Sequence, residues 1–350
     1  MIRKSIDEIQ DGDVLSKPIT TWDYQIILQS GAILKREYID KLRGLDVIEV
    51  WVKEQDEHTE EVGILKEEIE KSVKEKVQDI LERHTYHNNQ ELQKLKTETD
   101  YIITNILEES EVVEKVYDIR QRSKDLYEHS VSICTFSVLT ALKLNLYIEK
   151  VHDIGVGCLL HDLGLRYINI DVVNRGEEDL NTNEMMEYRK HPVYGYSNLK
   201  DEKWISELSK EIVLCHHERM DGSGFPLKKT QLPKECWIVN VCDVFDEMIC
   251  GITRKQKKVY EAIEYLKSFK GILFDSEVVD TLLQFIAVYP TGSKVLTNEG
   301  EEAVVVAQNK DFQDRPVLRI IRDEKGNEVR EERIKDLMKI HSLFIDKVIE

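Results

Sequence analysis

Between residues 58 and 120 the chain has no proline and one glycine, and its apolar residues recur at helical intervals. Val62, Leu65, Ile69, Val73, Val77 and Ile80 stand three or four positions apart, so they share one stripe of a helix and leave Glu and Lys on the other faces. A second helical stretch carries Ile102, Ile103, Ile106, Leu107, Val112, Val113 and Val116. Such a stripe has to be covered. Two coverings are open: elements of the same chain, or the same helices of a second copy in a dimer-forming signalling linker.

Helical patterning continues from 121 to 288, with apolar-rich runs over 130–146, 151–163, 204–215 and 236–248. The two ends read differently. Near the start, 26–28 and 47–52 are β-rich and 35–42 suits a short helix, which predicts a small α/β domain. Beyond 289, VLTNEGEEAVVVAQ has two β-rich arms around Asn298-Glu299-Gly300, a hairpin pattern. Residues 316–321 suit a third strand, and the turn chemistry of 323–327 centres on Gly326. The expected fold is mainly α. A small α/β N-terminal domain (1–57) and a helical linker (58–120) precede a helical domain (121–288), and a short β-rich C-terminal extension (289–350) follows.

Charge narrows the function. With 67 acidic and 49 basic residues the 350-residue chain has a net charge of −18. That argues against binding nucleic-acid polymers or anionic membranes, and leaves room for one small anion held by local cations or metals. No run of 18 apolar residues exists, so no membrane insertion is expected. The start, MIRKSIDEIQDGD, lacks a hydrophobic signal core. Six cysteines lie singly at 134, 158, 215, 236, 242 and 250, none in a CxxC pair. They read as reduced core thiols of a cytoplasmic protein.

The chemistry gathers at histidines. His129, His161, His191, His216 and His217 lie in the apolar helical region. His161 is followed by Asp162; His191 opens HPVYGYSNL; His216 and His217 open HHERMDGSGFP; Asp243 sits in VNVCDVFDEM. A carboxylate beside a histidine suits a two-metal site, in which the carboxylate bridges two cations and imidazoles fill outer positions. A bridging hydroxide then serves as nucleophile, and the cations neutralise a phosphoryl group. Adjacent His216 and His217 cannot point the same way from a regular helix, but at a helix end they can address two metals. A second pair, His152-Asp153, lies nine residues before His161-Asp162, half a turn away on a continuous helix, and so cannot share its site. His84 and His87, in a polar stretch, read as surface side chains, and His58 and His341 stand alone.

The ordered set H…HD…H…HH…D, with HPVYGYSNL and HHERMDGSGFP, resembles the HD-GYP family of the HD-domain metal-dependent phosphohydrolases over roughly residues 121–310. That resemblance implies a largely helical domain holding two or three divalent ions, commonly iron or manganese. It also implies hydrolysis of cyclic di-GMP to linear pGpG or to GMP. By position it implies His129, His161, Asp162, His191, His216, His217 and Asp243 as metal ligands, with Asp162 bridging and Asp162 and His161 at the catalytic centre. Asp125, four residues before His129, stands where some trinuclear members carry a glutamate. Gly222, Gly224 and Pro226 would shape the loop after the histidine pair, and Phe225 replaces the usual tyrosine. Residues 13–42, in the pattern DVL…ILQSGAILKREYIDKL, are more loosely similar to the small domain that precedes some members.

Two departures touch the ligand. The family usually has a phosphate-holding lysine where this chain has Leu165, and Arg166 is expected to point elsewhere. The arginine-proline-tyrosine-arginine stretch that often follows the last aspartate is missing, although Arg254 and Lys255 lie near. Gly222, Arg254 and Lys255 are therefore the substrate-binding candidates. Three functions stay open: a cyclic di-GMP phosphodiesterase, a weak or inactive nucleotide- or metal-binding regulator, and a phosphohydrolase of another nucleotide.

Overall fold

The computed structural model describes residues 2–6, 9, 19–20, 26–28, 34, 41–42, 47, 49–52, 63–84, 90–108, 116–119, 124–309, 312–329, 331 and 333–349. The chain forms two compact units, Met1–Glu60 and Glu61–Glu350. In the first, β1 (Ile2–Ser5) pairs antiparallel with β4 (Glu49–Val52), and β2 (Ile19–Thr20) with β3 (Ile26–Leu28). Ile9, Ile19, Leu34, Leu42 and Val50 form its core. Of the helix expected over 35–42, residues 41–42 are described and helical; the rest lies outside the described residues.

The segment expected as a linker supplies two helices to the second unit. In α1 (Glu67–Arg83) the stripe residues Val73, Val77 and Ile80 are buried, and in α2 (Lys94–Glu108) so are Ile102, Ile103 and Ile106. Leu65 is buried in the bend before α1, while Val62, Val112 and Val113 lie outside the described residues. Val116 is not helical: α2 stops at Glu108, although apolar spacing runs on beyond it. These helices pack on α3 (Leu126–Lys143) and α4 (Ile148–Leu160) of the same chain, which covers the buried stripe residues internally, while Leu107 stays exposed. His84, expected at the surface, is buried at the end of α1 and bonds the Tyr167 hydroxyl at 2.9 Å. His87 lies outside the described residues.

The chain continues through α5 (Val172–Arg175), α6 (Thr182–Tyr188), α7 (His191–Leu199), α8 (Glu207–Cys215), α9 (Lys234–Cys250), α10 (Val259–Ser268) and α11 (Ser276–Leu283). The scaffold is α3, α4, α8 and α9, packed against one another. Phe136 of α3 meets Phe245 of α9 edge to face at 5.7 Å, and both are fully buried. Each such side chain stabilises by about 1.5–3 kcal/mol through burial alone. Gly251, at φ +74°, ends α9 in the left-handed conformation that favours glycine. All six cysteines are buried free thiols, and burial pushes the Cys134 thiol up to about 12.

A bridge between Tyr117 and Ile286 joins the start and end of the helical part. Past it, β5 (Lys294–Thr297), β6 (Glu302–Ala307), β7 (Val317–Arg322), β8 (Ile334–Asp336) and β9 (Ile345–Val348) form an antiparallel sheet in the order β8-β7-β6-β5-β9. The expected hairpin is β5–β6, turning at Gly300 (φ +82°), and the third strand is β7. Strands β8 and β9 were not expected from the sequence, because neither alternates cleanly between buried and exposed residues. The fold is thus mainly helical with a small C-terminal sheet, and no described helix is long and apolar enough to cross a membrane.

Candidate metal centre and ligand cavity

Five helices deliver seven expected ligands, five of them at or beside a helix end. His161 and Asp162 follow the last residue of α4, His191 opens α7, and His216 and His217 follow α8; His129 and Asp243 stand within α3 and α9. Two close approaches let these ends converge. A Cβ on Gly164 would lie 1.8 Å from the His191 carbonyl oxygen, and one on Gly224 2.5 Å from that of His217. Only glycine fits either place.

The Asp162 carboxylate faces both ways. Its Oδ1 is 3.3 Å from His191 Nε2 and 3.8 Å from His216 Nε2, and its Oδ2 is 3.1 Å from His161 Nε2. The Nε2 atoms of His191 and His216 are 3.1 Å apart. Asp243 Oδ1 is 3.2 Å from His129 Nε2 and 4.0 Å from His161 Nε2. Ligand atoms of Asp162, His191, His216 and His217 lie close enough for one cation, and those of His129, His161 and Asp243 for another.

Orientation comes from the other ring nitrogen. His161 donates Nδ1–H to the Cys158 carbonyl (2.7 Å), His191 to Tyr188 (2.8 Å) and His216 to Val213 (2.9 Å). His129 donates Nδ1–H to the Asp246 carboxylate at 2.7 Å. In each ring this leaves Nε2 turned inward as a lone-pair donor, the second support found around metal-binding histidines. The His217 ring stacks on Phe225 at 4.5 Å, so the phenylalanine in place of tyrosine keeps a packing role.

Burial presses the imidazoles of His191, His216 and His217 toward the neutral form, His216 down to about 3. Burial opposes the charge on Asp162, yet the surrounding histidines, His161 first, hold it well below the carboxylate range. Neutral imidazole and ionised carboxylate are the ligating forms. At His129 and His161 burial is outweighed by carboxylates, Asp243 and Asp246 for the former and Asp162 for the latter, which raise both. His161 Nε2 and Asp243 Oδ2 are buried without hydrogen-bond partners. Two orphaned atoms among converging N and O donors fit divalent cations.

Four expected site residues are not gathered into this cluster. Asp125 caps α3: its carboxylate accepts from the backbone N–H of Tyr127 (2.9 Å) and Glu128 (3.0 Å), and pairs with Lys74 at 2.5 Å. A residue at that cap has left the helix (φ −135°), so its position four residues before His129 does not put the two on one helix face. Gly222, at φ +79°, shapes the loop, and Lys255 is exposed. Arg254 lies nearer: its Nε pairs with buried Glu247 at 2.9 Å. The decoy His152 pairs with Asp100 at 3.3 Å, away from the cluster.

Other residues of the site escaped the sequence reading. Asp246 orients His129, and Glu247 has a ligand atom near those of His217 and Asp243. Burial raises Glu247 to about 7 against the pull of Arg254. Asn240 donates to the His216 (2.7 Å) and Glu218 (2.8 Å) carbonyls, pinning the histidine turn. The Glu218 carboxylate ties down the following loop through the N–H groups of Leu227 (2.6 Å) and Lys229 (3.0 Å). Asn240, Asp243 and Asp246 recur every three residues in α9, but with the helix buried on every side that spacing alone does not mark them as functional.

Outside the cluster a cavity of about 200 Å³ opens on Asp162. Leucine, isoleucine and valine side chains, among them Leu81, Leu126, Leu165 and Val172, make most of its wall, and Tyr127, Ser130 and Asp171 add polar groups. Arg166 lines it too, contrary to the expectation that it points away, because residues 163–167 form a 3-10 turn and not an α-helix.

Residues 111–278 match the family model described as HD domain, and 294–350 one described as KOW domain associated with HD domain. A cyclic di-GMP phosphodiesterase of Pseudomonas aeruginosa is 29% identical over 215 residues, 60% of this chain and 51% of that protein. A cyclic di-GMP phosphodiesterase response regulator of Xanthomonas campestris is 36% identical over 150 residues, 42% of this chain and 39% of that protein. The chain thus spans about half, or less, of the length of these curated relatives. A solved HDG"Y"P protein from Bdellovibrio bacteriovorus shares the fold, with a TM-score of 0.52 at 16% identity over 80% of this chain and 97% of that one. The helical region is an HD domain. Within that class, the curated relatives and the shared fold support the HD-GYP family.

Proposed function

We propose that the chain is a metal-dependent phosphodiesterase that hydrolyses cyclic di-GMP to pGpG or GMP. The observation that carries the reading is the division of Asp162, one oxygen toward His191 and His216 and the other toward His161. A carboxylate so placed would bridge two divalent ions, iron or manganese. His129, His161 and Asp243 would hold one, and His191, His216 and His217 the other. The departure of Asp125 from the cluster argues against a third ion on that side. Bound ions of this kind neutralise phosphoryl charge and make water acidic enough to act as a nucleophile near neutral pH.

The chain's own residues hold that arrangement in place. The Nδ1–H bonds fix four rings, and Asn240 and Glu218 hold the turn that presents His216 and His217. The opening at Asp162 admits the phosphodiester, and the buried wall behind it excludes water. Free buried thiols throughout suit a reducing compartment, the cytoplasm.

A second reading, hydrolysis of a different nucleotide, is favoured by one feature: Leu165 puts an apolar side chain in the cavity, where the resemblance to the HD-GYP family implies a lysine. Anaerobic purification, metal analysis and a panel of cyclic di-GMP, cyclic GMP-AMP and cyclic di-AMP test both. Turnover of cyclic di-GMP to pGpG or GMP is expected. Turnover of another member alone selects the second reading. Full metal occupancy with no turnover of any overturns both and leaves a regulator.

A further inference from the structure

Every expected metal ligand but one is sealed. The side chains of His129, His161, His191, His216, His217 and Asp243 are 0–3% exposed, whereas Asp162 is 15% exposed. A ligand therefore reaches the centre past Asp162, through the cavity that opens on it. The charge available there decides how a phosphate is held. Arg254 is committed to Glu247, and buried Arg219 donates to the Glu218 carbonyl at 2.7 Å. Lys255 is exposed and does not line the cavity. Arg166 lines the cavity and is exposed, and it forms no hydrogen bond or ion pair among the described residues.

We propose that Arg166 anchors a ligand phosphate beside Asp162, and that the apolar cavity takes a single planar nucleobase. The inference deepens the phosphodiesterase reading and rests on it for the substrate class. A planar guanidinium suits two phosphate oxygens at once and needs no partner from the protein. At about 200 Å³ the cavity is below the roughly 300–1,000 Å³ of sites for drug-sized ligands, so it suits one ring system and not a whole dinucleotide. Its walls explain the ring: Leu81, Leu126 and Leu165 offer apolar surface to the faces of a base. Leu81 comes from α1, so the helices before the HD motif residues build part of the ligand site. The positive charge missing at position 165 is restored one residue later, carried in by the 3-10 turn.

The experiment uses the metal-loaded full chain, with calorimetric binding of inorganic phosphate and KM and kcat for cyclic di-GMP. Arg166→Ala should weaken phosphate binding and raise KM about tenfold, the lower end for a charge-assisted contact, with metal content and melting unchanged. Arg166→Lys should recover part of the loss. Val173→Trp, which fills the cavity, should raise KM for cyclic di-GMP and leave phosphate binding unchanged. Unchanged phosphate affinity in Arg166→Ala overturns the anchor, whatever the turnover. Metal loss in that variant, with no recovery by lysine, overturns it too, as a structural effect. Wild-type inertness toward every cyclic dinucleotide, with phosphate still weakened by Arg166→Ala, sinks the phosphodiesterase reading and leaves the anchor standing.

Discussion

On the inner side of Asp162 four imidazoles each donate Nδ1–H to a fixed acceptor, and three of those acceptors are backbone carbonyls within one helical turn. On its outer side the wall is mainly leucine, isoleucine and valine, with Tyr127, Ser130 and Asp171 also lining it and Arg166 as its one cation. The two surfaces respond differently to substitution. Each inner ligand depends on several others for its orientation and protonation, so a change there propagates. An outer side chain meets a cavity, where a change of size or charge leaves the scaffold intact. The seven residues expected as ligands converge on the inner side, whereas the two expected departures from the resembled family, at Leu165 and around Arg254, lie outside that convergence, the pattern such an asymmetry allows.

The comparison breaks most sharply at Asp162 itself. Asp162→Ala removes the oxygens facing both groups of histidines, so bound metal and activity should fall by more than the roughly 10–100-fold typical of an outer partner. Asp153→Ala, outside the cluster, should retain wild-type metal content; equal loss in both would mean the wrong aspartate carries the bridge. Asp246→Asn tests the second layer. It keeps the shape beside His129 and removes the charge that fixes the Nδ1–H tautomer. Metal affinity should drop about 10–100-fold. Titration with Mn²⁺ that finds no change would show that His129 needs no orienting carboxylate.

Much of the inner surface could be read from sequence because its residues interrupt helices. HD, HP and HH each fall where a helix starts or stops, and glycine or proline nearby marks the break. Glu247 and Asn240 were harder to see. They sit inside α9, which is buried on every side, so no exposed face separates a functional polar residue from an incidental one. His84 was misplaced for a related reason: its sequence neighbours are polar, and its partner Tyr167 is 83 residues away. Beyond Glu108 the helical spacing is not followed at Val116, which is described and not helical. The outer surface was least legible, since Arg166 and Leu165 meet the cavity only through the 3-10 geometry of their turn.

Leu165→Lys sharpens the outer half of the comparison. Leu165 is half-buried at the cavity, so a lysine there can extend into the open space. Cyclic di-GMP affinity should rise about tenfold, with metal content constant and little change in melting temperature. A large fall in melting temperature with no gain in affinity would show that the lysine is buried unpaired, and that this wall belongs to the core.

The smallest expected effect is at Asp125, where the structure moves a candidate ligand out of the metal cluster. Asp125→Ala should leave metal content unchanged, and should cost about 0.5–2 kcal/mol of stability as the α3 cap is lost. Its ion pair with Lys74 adds little, because both side chains are partly in water. The sign with pH follows from the direction of the shift. Burial pushes the Asp125 carboxyl up, but Lys74 and the capping N–H groups outweigh that and leave it lowered. A carboxyl lowered on folding stabilises above its unfolded value, near pH 4, and loses that contribution as pH falls through the folded value. The stability gap between wild type and Asp125→Ala, measured by denaturant unfolding, should therefore be full at neutral pH and narrow below about pH 4. A gap independent of pH would mean that the charge of Asp125 does no work at the cap. Loss of metal in the variant would return this aspartate to the cluster.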